Sequence, residues 1–302
     1  MEHVKRVVHA RPEEIMPYTG KGVTAAILDT GFVMHPDLAG RLTAFKDFVG
    51  NGRLPYDDCG HGTHVAGCLC GSGGCLGGRY SGIATGANVL ACKILNEKGE
   101  GETQHLIQAI QYVLNTRRLY HTRIINISVG FLQDGDEAKR DAVLFWLEKA
   151  WKAGLFVVVA AGNGGPRENS ISPLGMSPYV VSVGCHDAGR RNEGCDRYSG
   201  RGPSGSRIKK PDIVAPGSRI ISCNADFKRL PRGKTKNPYT IKSGTSMAVP
   251  MVSAAAALLW EKDPKLSNEE IRERILHSAM DLGEEWGKQG WGMLHVGRAL
   301  NY

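Results

Sequence analysis

The sequence predicts an α/β fold, a three-layer sandwich in which helices cover both faces of a mostly parallel central sheet. Short apolar segments alternate with helical segments from about residue 23 to about residue 160, and such alternation is typical of a parallel sheet. The 302 residues are 41% hydrophobic and 23% charged, which suffices for one large core. No repeat or Pro/Ser-rich linker divides them, so we expect one main domain.

The predicted elements follow in chain order from the pattern of apolar residues. Residues 23–28 are apolar except for one threonine and predict a buried strand. The alternation then predicts helix 61–71, strand 89–95, helix 103–118, strand 124–128, helix 137–152, strand 155–160 and strand 179–183. The alanine-rich apolar run 247–260 predicts a buried helix, and the acidic first turn at Glu269 and Glu270 predicts a last helix over about 267–280.

Ser246 is the candidate nucleophile, because it lies at the predicted start of the helix over 247–260, in the segment Gly244-Thr245-Ser246-Met247-Ala248. The first turn of a helix has unpaired backbone N–H groups, and these favour a developing oxyanion. The alternative interpretation is a small-residue helix start with Ser or Thr as the N-cap.

A nucleophilic serine requires a base and a carboxylate that orients the base. Asp29 ends the predicted strand over 23–28, at the edge where open parallel sheets bind ligands. His61 lies at a loop-to-helix junction and is the candidate base, whereas His64 is expected to pack inside the helix as a structural histidine. Taken singly, an Asp that closes a strand is usually a turn residue and a His at a helix start is usually a surface group.

The three segments, in the order Asp29, His61 and Ser246, resemble the subtilisin-like serine proteases. The segment 160–165, Ala-Ala-Gly-Asn-Gly-Gly, resembles the oxyanion-hole segment of that family. The resemblance implies a serine endopeptidase acting through an acyl-enzyme, with Asn163 as a side-chain donor to the oxyanion. Two alternatives stay open: Asn163 as an ordinary turn residue, and a catalytically silent pseudoprotease that binds peptides.

The same resemblance implies substrate-binding residues. Ser128, Val129 and Gly130 end a segment similar to the family strand that lines the pocket for the residue before the scissile bond. The segment Gly99-Glu100-Gly101 resembles the edge strand on which a peptide substrate adds an antiparallel strand. Glycines at such positions are also ordinary loop residues. The expected partners are therefore peptide or protein substrates, with a large apolar or aromatic residue before the cleaved bond.

The organisation predicted from the sequence is a short N-terminal extension over residues 1–20 and a subtilisin-like peptidase domain over residues 21–302. Residues 1–17 carry charges throughout and contain no apolar stretch of signal-peptide length, so we expect a cytoplasmic protein without membrane contact. Its eight cysteines show no disulfide framework, and reduced thiols are the expectation. A metal site at Cys68, Cys70 and Cys75 is the alternative. Cys59, two residues before His61, is expected to confer sensitivity to thiol reagents.

The formal net charge of +8 is concentrated in basic stretches between residues 190 and 236. These stretches lack interleaved aromatic residues and nucleic-acid motifs, so we expect solvated loops and no nucleic-acid partner. A bias towards acidic substrates is the alternative. The glycine-rich loop 71–82 contains no carboxylate. We therefore expect that no cofactor is required and that calcium binds only weakly, with Asp37 as the one anionic ligand near this loop.

Overall fold

Seven parallel strands form the central sheet of the computed structural model, which describes residues 1–129, 136–187, 194–203, 209–231 and 234–302. The strands are β1 (Thr24–Asp29), β2 (Leu42–Asp47), β3 (Asn88–Lys93), β4 (Thr122–Ile127), β5 (Phe156–Ala160), β6 (Val181–Cys185) and β7 (Ile213–Ala215). Their order across the sheet is β2-β3-β1-β4-β5-β6-β7. The chain crosses over β1 between β3 and β4. The carboxyl ends of β1 and its neighbours therefore lie at a reversal of strand order, where parallel sheets bind ligands.

The helices in the described residues are α1 (Glu2–Val7), α2 (Pro12–Ile15), α3 (His61–Cys70), α4 (Thr103–Thr116), α5 (Glu137–Lys152), α6 (Thr245–Lys262), α7 (Asn268–His277), α8 (Trp286–Gln289) and α9 (Val296–Leu300). Helix α3 packs against α6, and α4 packs against α5. Helix α6 contacts β4, β5, β6 and β7 and is buried almost all round, as its continuous apolar run predicts. Two short hairpins complete the described elements: β8 (Ile220–Cys223) with β11 (Tyr239–Lys242), and β9 (Lys228–Arg229) with β10 (Thr235–Lys236).

The helices and strands predicted from the apolar pattern are present, with their bounds shifted by a few residues. Strand β2 was not predicted, because it is an edge strand in which only Asp47 is fully buried, and its residues show no apolar run. The expectation of reduced thiols is wrong for one pair, since Cys185 and Cys195 form a disulfide with Cα atoms 5.2 Å apart. The other six cysteines are free. Within the part of the chain that the structure describes, no helix is both long and apolar enough to cross a membrane.

The first 15 residues fold onto the C-terminal end of the chain. Val4 and Val8 are buried in the core, and the Val8 carbonyl accepts a hydrogen bond from the Val296 amide at 2.8 Å. The next amide, that of Gly297, donates to the His9 carbonyl at 3.0 Å. The predicted N-terminal extension thus contributes to the same hydrophobic core as the central sheet.

Candidate active site

Asp29 is the last residue of β1 and is fully buried. Its Oδ1 accepts a hydrogen bond from the Thr30 backbone amide at 2.7 Å. The first turn of α3 approaches closely here, and a Cβ placed at Gly62 would collide with the Gly31 carbonyl oxygen. Glycine at position 62 therefore allows the start of α3 to reach the end of β1.

His61 is the first residue of α3, and its Nδ1 lies 2.7 Å from Asp29 Oδ1. Burial lowers the pKa of His61, but the negative charge of Asp29 and this hydrogen bond outweigh burial, so the pKa is raised. The carboxylate accepts a hydrogen bond from Nδ1–H, which fixes the tautomer and leaves Nε2 of the neutral ring as a proton acceptor. The candidate base and the candidate orienting carboxylate are thus hydrogen-bonded to each other.

Asp57, which is not among the predicted site residues, holds the loop that precedes α3. Its Oδ1 accepts from the Gly60 amide at 2.7 Å and from the Thr30 hydroxyl at 2.8 Å. Its Oδ2 accepts from the Thr63 amide at 2.8 Å and from the Thr63 hydroxyl at 2.6 Å. One carboxylate thus connects the residue after Asp29 to the N-terminus of α3. An acid shortly before a helix start was the available signal.

His64 is fully buried inside α3, as the sequence predicts for a structural histidine. Its Nε2 donates to the Ile220 carbonyl, 3.0 Å away. Burial lowers its pKa to about 3. His64 is therefore neutral at physiological pH and is occupied by a structural hydrogen bond.

Ser246 is the second residue of α6 and is half-buried. Its backbone N–H belongs to the first turn, where amides have no helical acceptor. Gly244, two residues earlier, has φ +148°, a conformation that favours glycine. Among the residues that the structure describes, no hydrogen bond joins Ser246 to His61. Helix α3, which begins at His61, packs against α6, which carries Ser246. Lys242, four residues before Ser246, is close enough to His61 for its charge to lower the pKa of that histidine.

Asn163 follows β5 and is exposed beside the start of α6. Its Oδ1 accepts from the Thr245 amide at 3.0 Å and from the Thr245 hydroxyl at 3.1 Å. These bonds orient the side chain, and its Nδ2 group is the donor of the amide. A Cβ built on Gly244 would lie 3.4 Å from Nδ2, so the amide lies directly against the segment that carries Ser246.

The predicted pocket residues lie at the carboxyl end of β4. Ser128 is fully buried, and its hydroxyl accepts a hydrogen bond from Asn126 Nδ2 at 2.7 Å. Asn126 Oδ1 in turn accepts from Ser253 of α6 at 2.9 Å. Val129 packs against the core, and Gly130 lies outside the described residues. These hydrogen bonds therefore fix the end of β4 to α6, the helix that carries the candidate nucleophile Ser246 in its first turn.

The predicted edge strand over Gly99, Glu100 and Gly101 is wrong as secondary structure. The Gly99 amide donates to the Asn96 carbonyl at 3.0 Å, and the Asn96 amide donates to the Glu100 carbonyl at 2.8 Å. These hydrogen bonds close a turn, in which Gly99 has φ +78°. The three residues are exposed.

Two sets of side chains among the described residues could hold a metal ion: His35 with Asp37 and Cys75, and Cys185 with Asp187 and Cys195. In the first set, Asp37 Oδ1 accepts from the Cys75 amide at 2.9 Å and Oδ2 accepts from Tyr239 at 2.6 Å. Both ring nitrogens of His35 are also hydrogen-bonded, to the Asp37 amide and the Pro238 carbonyl. A cation would have to displace these partners. The second set contains the disulfide.

Comparison with known proteins gives one consistent result. A family described as the Subtilase family matches residues 20–292. Serine protease AprX of Bacillus subtilis (strain 168) is 38% identical over 269 residues, which cover 85% of this chain and 61% of AprX. Subtilisin DY of Bacillus licheniformis is 30% identical over 293 residues, which cover 96% of this chain and 95% of that protein. The solved structure of Sphericase has a TM-score of 0.79 at 26% identity and covers 97% of each chain.

Proposed function

This chain belongs to the subtilase family, and from that premise we propose that it is a serine endopeptidase that hydrolyses peptide bonds through an acyl-enzyme. The observation that carries the proposal is the 2.7 Å hydrogen bond between His61 Nδ1 and the buried carboxylate of Asp29. A peptide-binding pseudoprotease has no need of a histidine held in this tautomer.

In the proposed reaction, Ser246 Oγ attacks the substrate carbonyl carbon while its proton passes to His61 Nε2. The Asp29 carboxylate stabilises the imidazolium that results. Asn163 Nδ2 and the Ser246 N–H donate to the oxyanion of the tetrahedral intermediate. His61 then gives its proton to the leaving amine, and the carbon–nitrogen bond breaks to leave an ester on Ser246. Water, deprotonated by His61, attacks this ester, and His61 returns the proton to Ser246 Oγ as the ester bond breaks and the carboxylic acid product leaves.

Mass spectrometry after incubation with a fluorophosphonate tests this assignment. We expect one label, on Ser246, and loss of peptide hydrolysis in step with labelling. The control is Ser246→Ala, which should take no label, keep the melting temperature of the parent protein and lose on the order of 10⁶ in kcat. Absence of labelling in the folded parent protein would support the pseudoprotease alternative instead.

We further propose that Ser128, Val129 and Gly130 line the pocket for the residue before the cleaved bond, and that Gly99–Gly101 lies along the substrate backbone. The burial of Ser128 and its hydrogen bond to Asn126 support a rigid pocket wall without charge. The exposure of Gly99, Glu100 and Gly101 supports access of an extended peptide to this turn. Peptides or proteins with a large apolar residue at that position are the proposed substrates.

No cofactor is required in this proposal, and calcium binds weakly at most. The support is that both carboxylate oxygens of Asp37 already accept hydrogen bonds. An intracellular location is supported by the six free cysteines, since free thiols are typical of reducing compartments, and the Cys185–Cys195 disulfide is the observation against it. Alkylation of the protein in intact cells, followed by mass spectrometry, tests the location, and further oxidised pairs among these six would contradict it.

A further inference from the structure

Lys93 is a buried charged residue behind the candidate site. It is the last residue of β3, lies opposite Asp29 in the parallel register and is 1% exposed. Its ammonium donates three hydrogen bonds, each of 2.7 Å, to the carbonyls of Thr30 and Leu95 and to Asp58 Oδ1. The three donors of the ammonium are thus all used. A buried charge is tolerated only with such complete pairing.

Two of the three partners of Lys93, Thr30 and Asp58, belong to the segments that flank Asp29 and His61. Thr30 directly follows Asp29, and its amide donates to the Asp29 carboxylate. Asp58 precedes His61 by three residues. The ammonium therefore joins the backbone beside the carboxylate to the loop that leads into α3.

A second contact restricts the lysine itself. The Lys93 ammonium lies 4.9 Å from the centre of the ring of Tyr56, and Tyr56 is on the same loop as Asp58. This arrangement leaves the ammonium a single position, bounded by the ring, two carbonyls and one carboxylate. The lysine is therefore built to hold geometry between the loops rather than to meet solvent.

We propose that Lys93 is a positioning residue for the Asp29–His61 pair, an inference that rests on the proposed function. By holding the Thr30 carbonyl and Asp58 together, Lys93 keeps the Asp29 carboxylate within hydrogen-bond distance of His61 Nδ1. Its charge is compensated by Asp58, so its effect is on the geometry of the pair.

The experiment compares the parent protein with Lys93→Met, which has a side chain of similar length and no donors. A displacement of about 1 Å at a reacting group costs on the order of a hundredfold in rate. We expect kcat to fall between about tenfold and a hundredfold with KM nearly unchanged. The rate of Ser246 labelling by fluorophosphonate should fall by a similar factor. The downfield proton NMR signal of His61 Nδ1–H should broaden or disappear.

The chain offers a matched control in Lys210. This lysine is 3% exposed and forms an ion pair with buried Asp212, 2.5 Å from its Oδ2, and a further bond of 3.1 Å to the Val180 carbonyl. Arg272 also binds Asp212, at 3.1 Å from Oδ1, so this carboxylate keeps a cation when Lys210 is replaced. Lys210→Met removes the same groups from a pair that does not contact Asp29 or His61. We expect Lys210→Met to lower the melting temperature while keeping kcat and the His61 signal near those of the parent protein.

The double variant Lys93→Met with Asp58→Asn separates geometry from charge. It removes both members of the ion pair, leaves no uncompensated charge and serves as the readout if Lys93→Met alone does not fold. We expect its kcat to stay low, because the bond to the Thr30 carbonyl is still missing. Recovery of the parent kcat would show that only charge balance matters and would overturn the proposal. So would a parent-like kcat and NMR signal in Lys93→Met. An inactive, unlabelled parent protein would instead refute the proposed function.

Discussion

Replacing Asn163 by alanine removes the amide that lies beside the N-terminus of α6. Asn163 Oδ1 accepts from both the amide and the hydroxyl of Thr245, which orients the side chain, and Nδ2, its donor group, is left for the oxyanion. Loss of one such donor raises the barrier by about 2.7–4 kcal/mol. This corresponds to a fall of about 10²–10³ in kcat. KM should change little, since the bond forms only as the oxyanion develops.

Two further variants separate the donor from its support. Asn163→Asp keeps an acceptor for Thr245 but places negative charge where the donor was, so its kcat should fall further than that of Asn163→Ala at neutral pH. Thr245→Val removes only the hydroxyl bond and keeps the amide bond at 3.0 Å. A neutral hydrogen bond contributes about 0.5–1.5 kcal/mol, so this variant should lose about tenfold or less.

Initial rates on a chromogenic peptide give kcat and KM for each variant, and melting temperatures check that each is folded. The donor assignment is refuted if Asn163→Ala keeps a kcat within about threefold of the parent value, far less than the expected loss. It is also refuted if Asn163→Asp is as active as the parent protein.

Three other predictions concern pH, calcium and specificity. Burial lowers the pKa of His61 but Asp29 raises it above the ordinary value, and a general base must be neutral, so kcat/KM should fall as the pH decreases through this raised pKa. Asp29→Asn should then move the acid limb of the profile to lower pH as well as reduce the maximal rate, and an unmoved limb would count against the assigned pair. Excess chelator should leave activity and melting temperature unchanged at moderate temperature. A rise of more than about 5 °C with millimolar calcium would reveal a strong site. Cleavage of a peptide library should show large apolar or aromatic residues before the scissile bond, and a strict preference for Arg or Lys would contradict an uncharged pocket.

Local patterns in the sequence determined the strand that ends at Asp29, the helix that begins at His61 and the helix that carries Ser246. Each of these elements depends on a continuous run of apolar or small residues. Asp29 lies at the end of its run, whereas His61 and Ser246 lie at the start of theirs. That Asp29 and His61 act together was implied by the resemblance of their segments to those of the subtilisin-like serine proteases. Strand β2 was missed because it is held by its pairing with β3 and has neither extensive burial nor an apolar run of its own.

Only the tertiary structure decided how these residues are held. The roles of Asp57 and Lys93 depend on partners from separate segments, such as Thr30, which lies 27 residues from Asp57 and 63 from Lys93. The orientation of Asn163 is fixed by Thr245, 82 residues later. Single charged or amide side chains in loops have no periodicity, so their partners are set by how the chain brings distant backbone together. The types and ends of the elements are local properties of the sequence, whereas the hydrogen bonds that orient the candidate site are properties of the packed fold.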